Sequence, residues 1–181
     1  MPTESNNPQM PDWIARRQQE KAMQTRAEGE ALQSQLDASK QVASGGPEFW
    51  ATLTERLRIN VDALPALGEE LVGSVSLLTG EPELHCHVQV NRQSLKHGPE
   101  LSHLNLWYRQ GGFQIRRWYQ DHELPDVILQ PSRGTIIATI DNRYHLTAEQ
   151  LADLIVERMA DRVSAASEAS ARFFNSRRRA V

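Results

Sequence analysis

Over residues 84–120 the chain alternates apolar and polar residues in three successive segments, LHCHVQV, HLNLWYRQ and FQIRRWYQ. Successive side chains on a strand point to opposite faces, so this pattern predicts three strands, each with one buried and one open face. Gly111-Gly112 joins the second segment to the third, and a Gly-Gly pair between two alternating runs is a hairpin signal. A turn centred there puts Tyr108 opposite Ile115 and Leu106 opposite Arg117. With Leu104, Phe113 and Tyr119, these residues make the predicted core face. The other face carries His103, Asn105, Trp107, Arg109, Gln114, Arg116, Trp118 and Gln120.

The flanking segments fit the same meander. Residues 71–79 read as a strand before the central three, 127–130 as a short strand stopped by Pro131, and 135–140 as another. Residues 96–99 and 121–126 read as loops. The connections are short, so an antiparallel meander of five or six strands is expected.

Helical patterns bracket this sheet. Asp12 offers an N-cap to a polar stretch, 12–42, rich in good helix formers. Its apolar residues, Trp13, Ile14, Met23, Leu32, Leu36 and Val42, are too sparse for a heptad repeat, and Gly29 falls mid-stretch. Ser44-Gly45-Gly46-Pro47 reads as a break, with Gly ending one helix and Pro opening the next. The following helix, 47–63, lines up Trp50, Leu53, Leu57, Val61 and Leu64 at three- and four-residue steps before Pro65. Near the C-terminus, Thr147 and Gln150 have capping-box spacing. Leu151, Leu154, Ile155, Met159 and Val163 then form an apolar stripe.

The expected fold class is α+β: an antiparallel meander sheet with two helices packed on one face, preceded by a long polar N-terminal helix. The expected organisation is a disordered segment 1–11, a polar helical extension 12–43, an α+β domain 44–164, and an Ala/Ser-rich basic tail 165–181.

Charge and composition exclude several classes. The net charge of −3 argues against a dedicated nucleic-acid binder, and the only basic run is Arg177-Arg178-Arg179. The single cysteine, Cys86, permits no disulfide within the chain and falls on the apolar side of its strand. There is no secretory-signal pattern and no apolar stretch of membrane-spanning length, so a cytoplasmic setting and no membrane partner are expected.

Catalytic signatures are absent from the pattern. His85 and His87 share a strand face and His103 heads the next strand, making these three the only metal-ligand candidates. A cupin strand follows such an HxH with a glutamate four or five residues on, but Asn91 and Arg92 occupy those places. No metal or other cofactor is therefore assigned. Cys86 points away from its neighbouring histidines, and no serine sits in a nucleophile elbow. What stands out is the face bearing Trp107, Arg109, Arg116 and Trp118, residue types that concentrate at recognition surfaces. The expected role is that of a non-catalytic interaction or adaptor protein, with a protein partner or a second copy on that face. Single-stranded nucleic acid stacked on the same aromatics is the alternative, and metal-dependent activity at the three histidines is a second.

Overall fold

The computed structural model describes residues 12–67, 70–80, 82–93, 100–120 and 122–178, with side chains as far as Ala165 apart from Thr79. The elements are a helix α1 (Asp12–Ala63), a 3-10 turn (Leu64–Leu67), strands β1 (Leu71–Gly80), β2 (Glu83–Arg92), β3 (Glu100–Arg109), β4 (Gln114–Tyr119), β5 (His122–Ser132), β6 (Thr135–Ile140) and β7 (Tyr144–Leu146), and a closing helix α2 (Ala148–Arg178). All seven strands form one antiparallel sheet in chain order. The class is α+β, as expected.

The strand count exceeds the five or six expected, for local reasons. Asp141 and Asn142 both adopt left-handed backbone (φ 51° and 53°), which Asp and Asn tolerate better than most residues. The chain reverses there and pairs Tyr144 and His145 back onto Ile140 and Thr139, adding β7. Residues 122–126 are strand rather than loop, and β5 continues through Pro131, whose neighbour Ser132 still pairs with Thr135. Pro125 is accommodated because β5 carries a bulge: Ile115 pairs with Val127 and Arg117 with Leu124, so Pro125 and Asp126 together oppose one residue of β4.

The chain divides into two compact units, 1–38 and 39–181. In the first, residues 12–37 of α1 are exposed apart from Ile14. Side-chain pairs one turn apart run along this stretch, Gln24 to Glu28, Arg26 to Glu30 and Gln33 to Asp37, at 2.9–3.0 Å. The expectation of disorder over 1–11 falls outside the described residues.

In the second unit the core lies between one sheet face and the two helices. Val42, Phe49, Trp50, Leu53, Leu57 and Val61 of α1 and Leu151, Ala152, Ile155, Val156, Met159 and Val163 of α2 are buried with the inward residues of β2–β6. Leu154 is only half-buried; Leu151 takes the core position of that turn. Trp50 stacks on fully buried Tyr108, ring centroids 5.5 Å apart. Arg56 and Asn60 both donate to Asp153 Oδ1, at 2.9 and 2.7 Å, joining α1 to α2. The predicted capping box forms: Thr147 N–H donates to Gln150 Oε1 (3.0 Å) and Gln150 N–H to Thr147 Oγ1 (3.3 Å).

The break expected at residues 44–47 is absent; helix 12–42 and helix 47–63 are one element. Gly45 and Gly46 serve close packing rather than termination. A Cβ on Gly45 would stand 2.7 Å from Ile136 Cγ1, and one on Gly46 would collide with the Tyr108 hydroxyl. Pro47 is exposed and costs the helix one internal N–H bond, which core packing on either side outweighs.

Substituting glycines in α1 therefore has opposite effects at two sites. Gly29→Ala, with nothing within 4 Å, should stabilise modestly, by up to about 1 kcal/mol through helix propensity. Gly46→Ala should destabilise by roughly 1–3 kcal/mol through overpacking on Tyr108. Urea denaturation of the two variants checks this, and equal shifts of one sign would disprove the packing role.

Candidate functional site on the open sheet face

The turn after β3 spans four residues, Gln110 to Phe113, with Gly111 in left-handed backbone (φ 74°). A four-residue turn has the same centre as a two-residue one at Gly111-Gly112, so the register is unchanged. Tyr108 pairs with Ile115, Trp107 with Arg116, Leu106 with Arg117 and Asn105 with Trp118. Phe113 is the exposed exception among the residues expected on the hairpin's core face. It lies in the turn, where alternation has stopped; it is 40% exposed and only its backbone carbonyl is used, by Leu129 N–H (2.7 Å).

Register aligns the open face into rows. Leu78, His85, Trp107 and Arg116 make one row across β1–β4, and Ser76, His87, Asn105, Trp118 and Glu123 make the next across β1–β5. His85 stacks flat on Trp107, centroids 4.9 Å apart and planes 4° from parallel. Trp118 meets Trp107 edge-on at 6.4 Å. Asn105 Oδ1 lies 3.0 Å from His85 Nε2 and 2.9 Å from His87 Nδ1. A carbonyl oxygen only accepts, so both imidazoles donate to it, which fixes their tautomers. His103 tilts toward His87 at 5.9 Å between ring centroids.

Although Arg116 lies opposite Trp107, its guanidinium does not stack on the indole. Arg116 instead reaches Glu83 Oε1 (3.0 Å), and His85 occupies the Trp107 face. An imidazole directly across the strand covers that ring more fully than a long side chain that gains an ion pair by swinging aside. Arg109, opposite Glu83 in register, is exposed. Trp107 is half-buried and Trp118 is 40% exposed. The four predicted binding residues thus lie in one area of the face.

The three histidines also share this area. Among the described residues no group of three or more His, Cys, Asp or Glu side chains is arranged to hold a metal ion. Cys86 faces the core, fully buried, and desolvation pushes its thiol up to about 12. It is poorly suited to act as a nucleophile near neutral pH.

The core side holds a feature that pattern reading passed over. Arg117 stands between Ile115 and Tyr119 on the inward face of β4, where alternation calls for an apolar residue. Its Nε and Nη2 both donate to the Pro125 carbonyl raised by the bulge. Arg158 and Arg162, one turn apart on α2, line the same cleft. An arginine at apolar parity, and two arginines flanking an apolar stripe, were the available signals. No family model, curated protein or solved structure matches this chain.

Asn105 is the residue whose loss should test the order of this face. Asn105→Ala should lower stability by about 1–2 kcal/mol, as two half-buried donors lose their acceptor. Imidazole ¹⁵N spectra should show Nε2–H at His85 and Nδ1–H at His87 in the parent, and mixed tautomers in the variant. Unchanged spectra would show that Asn105 does not set the rings.

Proposed function

We propose that this protein is a non-catalytic interaction or adaptor protein that binds a protein partner on the open face of its sheet. The observation that carries this reading is the packed layer of His85, Trp107 and Trp118, which ends in an indole left 40% exposed. The rings are held against one another before any partner arrives, so little side-chain freedom is lost on binding. Tryptophan and arginine are residue types on which binding energy concentrates. Arg109 and Arg116 are matched there by Glu83 and Glu123, so the area is close to neutral and suits a protein surface better than a phosphate backbone. No helix among the described residues is long and apolar enough to cross a membrane. The buried free thiol of Cys86 fits a reducing cytoplasm.

Replacing Trp107 and Trp118 together, by Ser and Thr, should leave the circular dichroism spectrum and a cooperative melt in place. In crosslinking followed by mass spectrometry, the species crosslinked to the parent through this face should disappear from the double variant. Persistence of the same crosslinks in the folded variant would sink the proposal. A salt-dependent shift with single-stranded oligonucleotides, abolished in the variant, would transfer the face to nucleic acid.

A second copy is a further reading, carried by β1. This ten-residue strand has an edge unpaired among the described residues and no charged residue in its sequence, and Leu77 and Leu78 are 54% and 62% exposed. Edges are normally guarded by Lys, Pro or a short length, and an unguarded one is a template for strand pairing. Antiparallel pairing of two β1 edges about a two-fold axis sets no like charges opposite one another. Sedimentation velocity should show a dimer that Leu78→Lys converts to monomer; a parent that stays monomeric at high concentration would dismiss this mode.

A further inference from the structure

On the helix side of the sheet, a cleft of about 230 Å³ opens between α2 and the β4–β7 end of the core. Its floor is apolar, made by Leu104, Leu124, Ile140, Leu151, Ile155 and Met159. Arg117, Arg158 and Arg162 stand around it with Asp141 as the one carboxylate, so the lining carries three cations against one anion. Among the described residues none of the three arginines makes an ion pair.

The three arginines are held in different ways. Arg117 is half-buried; desolvation lowers its pKa from the ordinary value, and although Asp141 and Asp126 attract it, Arg158 repels it. Its bonds to Pro125 leave the rest of its fork available. Arg162 lies over the Tyr119 ring, 4.3 Å from the centroid, and Tyr119 is itself fixed by its hydroxyl bond to Ser102 (2.9 Å). Arg158 and Arg162 are four apart on one helix face, a like-charge spacing that weakens a helix.

We propose that this cleft binds a small amphipathic carboxylic acid, its carboxylate received by the arginines and its aliphatic or aromatic body laid on the apolar floor. Guanidinium groups match a carboxylate bidentately, and a few charged groups at the mouth of an apolar pocket are how small-ligand sites are built. The volume limits the ligand. At about 30 Å³ per water-sized group, the cleft holds roughly eight non-hydrogen atoms, most of a medium-chain acid whose tail reaches the cleft's open side. The ligand is a free small molecule; a cleft this size has no room for a lipid with two chains. The site lies on the opposite side of the sheet from the tryptophan layer and stands or falls independently of the partner-binding proposal.

Isothermal titration of the full chain with octanoate, octanamide and inorganic phosphate tests this. Octanoate should bind saturably, with a Kd on the order of 0.1–1 mM for a ligand of that size. Octanamide should bind about tenfold more weakly or worse, and phosphate far more weakly still, as each lacks one half of the match. Arg158→Gln and Arg162→Gln should each weaken octanoate about tenfold with little change in melting temperature, because each removes a like-charge neighbour, which in Arg162→Gln offsets the lost contact with Tyr119. Neither is a core residue, so folding is not at risk. Equal affinity for octanoate and octanamide would overturn the proposal by showing a merely greasy cleft. Phosphate binding as tight as octanoate would overturn it by showing an anion site with no use for the apolar floor. Absence of saturable octanoate binding, or full affinity in both variants, would overturn it outright.

Discussion

The close approach of α1 to the sheet at Gly45 and Gly46, over Ile136 and Tyr108, sets much of the geometry of the second unit. With no Cβ at two successive positions, the helix backbone settles directly on β3 and β6. That closeness brings Trp50 into stacking distance of Tyr108 and closes Val42 into the core. It also fixes where α1 runs, and hence where Arg56 and Asn60 can reach Asp153 of α2. Side chains at 45 and 46 would lift the helix and open voids along every layer below it.

The helices on one face and the open layer on the other divide the sheet chemically. Inward residues of β2 and β3 are mostly apolar, and the buried hydroxyl of Ser102 among them is satisfied by Tyr119. Outward residues on the same strands are imidazole, amide and indole, tied to one another across the ladder rather than to water alone. A period-two sequence can therefore present a rigid recognition surface and a rigid core at once. The rigidity of the first depends on that of the second, because strand register fixes both.

Much of this was legible in the sequence. Alternation over 84–120 gave the faces and the register, since a turn centre fixes every pair beyond it, and the spacing of Thr147 and Gln150 gave the start of α2. The Gly-Gly-Pro run misled, because glycine signals both helix ends and close packing, and only the tertiary partner separates the two. β7 went unseen because three residues carry too little periodicity, and its signal was the backbone tolerance of Asp141-Asn142 instead. Phe113 was misplaced because alternation was extended into a turn. The stacking partner of Trp107 depended on rotamer competition among His85, Arg116 and Glu83, which register alone does not decide. Arg117 was legible in position but not in company, since Arg158 and Arg162 come from a helix some forty residues downstream.

Chain-order pairing of the seven strands also has a consequence for how the protein comes into being. Each strand bonds only to its sequence neighbours, so the ladder can close hairpin by hairpin at small entropic cost as the chain emerges. The helix that completes the cover follows all seven strands in the chain. Until α2 arrives, the inward face of β2 and β3 has only α1 to shield it, and the stretch later covered by Leu151, Ile155 and Met159 stands open to water. During synthesis the nascent sheet therefore passes through a stage in which it has formed its hydrogen bonds but not yet hidden its apolar side. That interval is when it is most exposed to misassociation.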